Sequence, residues 1–477
     1  MSKDYTYEGS TGPDPNSYGI LGSGSGCGSE VQVKRALTTA QFTDKLRGML
    51  LMGAYGDALG APHEKSTLAF QGPPSIPQVL RGNAGVQGST ATSWQLQPFS
   101  TYHPLSPHPF GMWIEHPSNQ TAAFNTMVGL PTDDTAFRIA LLHDWLSELS
   151  RMPTIPEPTE AEFRKYLQRQ VAVAVPPGNT WRKFRKQQIE DWLVIFKDLD
   201  SLSSDNKTIT VKDGNRGNTF FRPGFPVIFG PFMYLELAAI YACCSEKKVF
   251  ETFRNFTGLD RGTGKIVSGL MAVMISQAVL VSPANKKRFD KWFEETAKRV
   301  FELNLGPKAD REVVENAFGD ALTFGSTRRV LGDDEDAFLA QLRAGVFNTA
   351  PPPLAPPEGV NLRNFHPVLF LRMMAAVVGY SRGDVRQALR LLAVSPGDTD
   401  TMTTLLGSII GAYCGNTALG GMGGAQFSLD LAFMQFNILL VSGIDLFRFP
   451  AGLIKIADRL PELEGLKDCC QKRSDQQ

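Results

Sequence analysis

Two short stretches of the chain gather carboxylates and hydroxyls into single helical turns. The first is Pro131–Ala136, Pro-Thr-Asp-Asp-Thr-Ala; the second is Pro396–Thr403, Pro-Gly-Asp-Thr-Asp-Thr-Met-Thr. Each leads straight into an apolar run with helical character, Ala136–Trp145 and Leu405–Tyr413. Brought together, Asp133, Asp134, Asp398 and Asp400 would repel one another. Hard divalent cations make such a cluster stable, because Mg²⁺, Mn²⁺ and Ca²⁺ favour carboxylate and hydroxyl oxygens. The pairing predicts one binuclear metal site built from two helix N-termini far apart in sequence.

The plain alternative is capping. Thr and Asp are preferred N-caps, and acids in a first turn suit the helix dipole. A cap, however, uses one acid or hydroxyl, and each stretch offers two acids with flanking threonines. Neighbouring helical residues point about 100° apart. Asp133 and Asp134 would therefore serve different ions rather than chelate one. Asp398 and Asp400 would face one site only if Asp398 lies just outside the helix.

The elements that must position these residues follow from periodicity. Phe42, Leu46, Met49, Leu50 and Gly53 form a helical stripe, so Ala40–Leu59 is expected to be one helix. Gly53, Gly56 and Gly60 on it imply close approach by another helix or a ligand, since glycine is costly in a helix interior. Asp57 on that apolar face needs a partner. Glu64 is expected just past the helix end, at the surface. Helices are also expected over Asp133–Arg151, Glu160–Val173, Thr180–Leu199, Phe229–Cys244, Ser245–Asn255, Gly264–Val281, Asp290–Asn304, Arg311–Leu322, His366–Gly379, Asp384–Val394, Asp430–Ser442 and Gly443–Leu460. Asp213–Asn218 (Asp-Gly-Asn-Arg-Gly-Asn) reads as a glycine-rich turn rather than an element. No stretch alternates with period two, and the predicted fold class is all-α, a compact multi-helix bundle with a central binuclear metal cleft.

Around this single domain, 41–460, the sequence sets a Gly/Ser-rich tail over 1–40 and a polar tail over 461–477. Residues 65–127, dense in Pro, Gly, Ser, Gln and aromatics, read as an ordered insertion over the core. His103, His108 and His116 within it have no usual zinc spacing. Lys+Arg and Asp+Glu both number 48, so net charge gives no argument for nucleic acid or an anionic membrane as partner. The six cysteines make no CxxC motif and read as thiols in a reducing compartment. Lacking a signal-length apolar run at the start and a stretch of about 20 apolar residues, the chain is expected to be cytoplasmic, and a monomer.

Three segments in order resemble the ADP-ribosylglycohydrolase (ADP-ribosyl-acceptor hydrolase) family: Gly56-Asp-Ala-Leu-Gly60, Thr132-Asp-Asp-Thr135, and Gly397-Asp-Thr-Asp-Thr401 leading to Gly411-Ala-Tyr-Cys-Gly415. The resemblance implies an all-α fold with two Mg²⁺ or Mn²⁺ ions. It implies hydrolysis of the bond between C1 of the distal ribose of ADP-ribose and an acceptor such as arginine or serine. The partner is then an ADP-ribosylated protein or an ADP-ribose-bearing small molecule. The implied metal ligands are Thr132, Asp133, Asp134, Asp398, Asp400 and Thr401, and the implied acid/base is Glu64 or Asp134. Asp57 and the loop residues Gly214, Asn215, Arg216, Gly217 and Asn218 are the implied substrate contacts. That loop departs from the family's Tyr-Gly-Asn-Gly: Asp213 replaces the aromatic residue and Arg216 is inserted. Thr257-Gly258 stands where the family has Thr-His. Two other classes stay open, a catalytically silent ADP-ribose-binding protein on the same fold and another two-metal hydrolase such as a phosphoesterase. The latter would want cationic clamps, for which the residues near the motifs offer Arg138 and Arg216.

Overall fold

The computed structural model describes residues 37–68, 133–152, 158–172, 209–213, 216–221, 231–282 apart from 243, 257 and 259, 287–347 and 366–422, with positions 190 and 193 and parts of 431–459. Residues 1–36 of the expected N-terminal tail, the expected C-terminal tail, nearly all of the 65–127 insertion and most of the expected helix Thr180–Leu199 lie outside these residues.

Helix α1 (Thr39–Leu68) opens on a capping box. The Gln41 amide donates to Thr38 Oγ1 at 3.2 Å, and the Thr38 amide donates to Gln41 Oε1 at 2.9 Å. Its apolar stripe, Phe42, Leu46, Met49 and Leu50, is buried as expected. The helix does not stop at Leu59. It continues past Gly60 and Pro62 and carries Glu64 inside it. Gly60 resembles a stop signal in the sequence, but in the fold it is a point of contact between helices.

Then follow α2 (Asp133–Arg151), α3 (Glu160–Ala172), and strands β1 (Ile209–Asp213) and β2 (Arg216–Phe221). The strands pair antiparallel, with Val211 opposite Asn218 and Asp213 opposite Arg216. This corrects the reading of 213–218 as a bare turn: Asp213 ends one strand, while Arg216, Gly217 and Asn218 begin the next. Ile209, Thr210 and Val211 on one side and Thr219, Phe220 and Phe221 on the other are strand formers. A two-residue Gly-Asn connection between such runs is a hairpin signal.

The remaining described helices are α4 (Pro231–Ile240), α5 (Glu246–Phe253), α6 (Thr263–Ala278), α7 (Phe289–Glu302), α8 (Lys308–Val330), α9 (Glu335–Leu342), α10 (Pro367–Ser381), α11 (Val385–Ala393), α12 (Thr399–Cys414), α13 (Asn416–Met422) and α14 (Phe449–Ala457). Among the described residues the fold is all-α apart from the hairpin. Helix α6 is buried along its length except at Lys265 and packs against α4, α5, α7, α8, α10 and α12. A helix apolar on every side belongs at the centre of a core. Helix α12 is likewise buried throughout. Cys244 and Cys414 are buried thiols. Among the described residues, no helix is long and apolar enough to cross a membrane.

Candidate active site

The site starts from a seam between α1 and α12, which run antiparallel. A Cβ added at Gly48 would overlap the Gly411 carbonyl, one at Gly56 the Thr403 carbonyl, and one at Gly60 the Thr399 carbonyl. From the other helix, a Cβ at Gly407 would overlap the Met52 carbonyl. The contacts advance four residues at a time along each helix, in opposite directions. Without side chains between them, the two backbones meet directly, and hydroxyls of α12 reach carbonyls of α1. Thr399 Oγ1 donates to the Gly60 carbonyl at 3.0 Å. Thr403 Oγ1 lies 2.6 Å from the Gly56 carbonyl. The first turn of α12, with Asp400 and Thr401, is thereby fixed to the last glycines of the α1 motif.

Helix α2 is anchored on the same segment. The backbone N–H of Thr135 donates to Asp57 Oδ2 at 2.9 Å. Thr135 is the third residue of α2, whose amide an N-cap side chain ordinarily satisfies. Here the acceptor comes from α1 instead. The two acidic helix starts are thus tied to one stretch, Gly56–Gly60. Asp57, Asp134, Asp398, Asp400 and Thr401 are all buried.

Capping separates Asp398 from the other acids that begin helices. Asp384 Oδ1 accepts from the amides of Arg386 and Gln387 at 3.1 and 3.0 Å. Asp334 Oδ1 accepts from Ala337 at 2.8 Å, and Asp445 Oδ1 from Phe447 at 2.9 Å. Asp398 occupies the N-cap position of α12, with φ −77° and ψ 88°, and makes no side-chain capping bond. It lies outside the helix, as joint service with Asp400 requires. Asp400 Oδ1 accepts from the Thr401 amide at 2.8 Å.

Of the other expected site residues, Thr132, Gly214 and Asn215 lie outside the described residues. Asp133 and Glu64 are placed on α2 and α1, but their side chains are not described; the same holds for Arg216, Gly217 and Asn218 on β2. Among the described residues, no group of three or more His, Cys, Asp and Glu side chains is gathered as a metal site. The donors along this stretch are nonetheless all oxygens: the carboxylates of Asp57, Asp134, Asp398 and Asp400, with hydroxyls of Thr135, Thr401 and Thr404. Thr135 Oγ1 and Thr404 Oγ1 are buried without a hydrogen-bond partner among the described residues. That donor chemistry fits Mg²⁺ or Mn²⁺ and not a thiol- or imidazole-seeking ion.

Sequence reasoning missed the partner of Arg138. This residue is 2 % exposed and donates from Nε to Glu236 Oε1 at 2.8 Å, with a second, shorter bond from Nη2. Glu236 lies on α4, and nothing in the local sequence of either residue points to the other. Two of the three guanidinium nitrogens of Arg138 are engaged by Glu236.

Fold and site define an all-α protein whose two acidic helix starts are tied to one glycine-lined helix. Residues 38–421 match the ADP-ribosylglycohydrolase family, and the chain belongs to it. A solved ADP-ribosylglycohydrolase-related protein complex is similar over 83% of this chain and 99% of its own, at 16% identity and a TM-score of 0.37. No curated protein sequence matches the chain.

Proposed function

We propose that this protein is a metal-dependent hydrolase that removes ADP-ribose from a modified side chain by cleaving the bond at C1 of the distal ribose. Family membership implies glycohydrolase activity in general. The observation that carries the finer reading is the shared anchorage of both acidic motifs on Gly56–Gly60. Two buried acidic helix starts tied to one glycine-lined segment support the reading that they share a ligand.

In this reading Thr132, Asp133, Asp134, Asp398, Asp400 and Thr401 hold two Mg²⁺ or Mn²⁺ ions. When bound, such ions orient the ribose hydroxyls and bring the pKa of a water toward neutrality. Cleavage at C1 builds positive charge on the ribose ring, and the buried carboxylates stabilise it. Asp134 or Glu64 takes the proton from the attacking water and returns one to the leaving acceptor. Asp57 supports the site by holding the start of α2. The hairpin, with Arg216, Gly217 and Asn218 at the base of β2, contributes contacts to the substrate. The phosphoesterase reading loses support, because Arg138 is committed to Glu236.

The silent-binder reading draws on one observation, that the stretch in place of the family's aromatic-glycine loop joins two antiparallel strands with Asp213 opposite Arg216. One experiment separates the two. ADP-ribose release is measured from arginine-, serine- and nucleic-acid-linked substrates, with and without chelator, beside calorimetric ADP-ribose binding. Release from a protein-linked substrate that chelator abolishes is the expected result. Binding without release from any substrate refutes the enzyme.

A further inference from the structure

We infer that Arg138 and Glu236 are positioning residues, a buried ion pair that sets where the start of α2, and with it Asp134, sits against α1 and α12. Arg138 follows Asp134 by four residues, one helical turn along the same face. Its guanidinium is enclosed on three sides and bonded on one. Glu236 on α4 takes Nε and Nη2 on a single oxygen. On α1, a Cβ at Gly53 would overlap Nη1, so the fork lies directly on the helix backbone. The same added Cβ would overlap Ser408 Oγ of α12, which places that hydroxyl beside the fork. The head of Arg138 therefore has one place to lie, and α2 is oriented by it.

The pair is a poor stabilising device. Arg138 Nη1, Glu236 Oε2 and Ser408 Oγ are buried with no hydrogen-bond partner among the described residues. A buried ion pair with bonding capacity left over is often matched or bettered in stability by apolar side chains of similar size. What apolar side chains cannot reproduce is the direction imposed by a planar fork on a fixed carboxylate. The functional consequence, through Asp134, rests on the metal reading above; the structural one does not.

The test uses the full chain with Arg138→Met and Glu236→Met combined, and separately Arg138→Lys. The first readout is amide hydrogen exchange at Thr135, the amide bonded to Asp57, compared with Met402, which bonds the Asp398 carbonyl at 3.1 Å at the start of α12. The second is Mg²⁺ affinity by calorimetry. The double variant is expected to melt near the wild type while Thr135 alone exchanges about tenfold faster and Mg²⁺ affinity falls at least about tenfold, the usual effect of losing a group behind a ligand. Wild-type exchange at Thr135 overturns the inference. Equal acceleration at Thr135 and Met402 also overturns it, because that is global loosening. If the double variant does not fold, Arg138→Lys decides by the same criterion, since lysine keeps the charge and loses the fork. If wild-type protein takes no Mg²⁺, the metal reading fails, and Thr135 exchange alone still tests the pair.

Discussion

The seam between α1 and α12 makes Gly56→Ala a decisive substitution. In an unconstrained helix interior the change would stabilise by about 1 kcal/mol, because glycine is the poorer helix former. At Gly56 the added methyl meets the Thr403 carbonyl, which is backbone and cannot rotate away. Overpacking of this kind costs about 1–3 kcal/mol. Pushing the helices apart also breaks the contact from Thr403 Oγ1 to the Gly56 carbonyl, at a further cost of about 1 kcal/mol. The net expectation is a loss of about 1–3 kcal/mol, read as a lower urea midpoint. The control is Gly319→Ala on α8, where an added Cβ meets nothing within 4 Å. There the propensity gain of about 1 kcal/mol should appear unopposed. If Gly56→Ala is as stable as Gly319→Ala, the direct backbone contact is wrong. Displacement of α12 should also lower Mg²⁺ affinity in Gly56→Ala and leave it unchanged in Gly319→Ala.

Asp398→Asn should keep the fold, because asparagine keeps the shape and the capping ability of aspartate; calorimetry should show metal affinity at least about tenfold weaker with turnover falling alongside, and wild-type metal binding would refute the ligand assignment. A melt of that variant in chelator should match or slightly exceed wild type, as one buried negative charge is gone. Asp57→Ala strands the buried Thr135 amide and should cost about 1–3 kcal/mol, while Asp57→Asn, which keeps an acceptor, should lose less; equal melting of the alanine variant and wild type would rule out the cross-helix cap.

The helices carrying the motifs are legible because their signals are local. Pro-Gly before Asp398, hydroxyls and acids in one turn, then a mainly apolar run define the start of α12. Glycines at positions 53, 56 and 60 announce a close approach, but the sequence does not say to what. The answer, Thr403 and Thr399, depends on register between segments far apart in the chain. The end of α1 is misplaced in the sequence reading for the same reason: Gly60 and Pro62 resemble a terminator until α12 is seen to occupy the space beside Gly60. The hairpin has its signal in Gly214-Asn215 between two β-branched and aromatic runs, which the glycines obscure. The pairing of Arg138 with Glu236 has no local signal, since an arginine on a helix gives no hint of which distant carboxylate it meets.

The antiparallel seam also dictates an order of events in folding. Thr403 meets Gly56 across 347 residues of chain. Helix α1 carries Gly48, Gly53, Gly56 and Gly60, each weakening an isolated helix by about 1 kcal/mol relative to alanine. Alone it is a marginal helix, and its bare face has nothing to rest on until α12 exists. At roughly 5–20 residues per second, synthesis separates the two halves of the seam by roughly 20–70 s. Throughout that interval the N-terminal motif has left the ribosome with its partner unmade. A chain halted before residue 399 has neither the seam nor the second acidic turn, and on the function proposed above it should show no partial activity. Contacts this distant also place closure of the seam among the slow steps of folding. The core around α1 therefore closes only once α12 has been made.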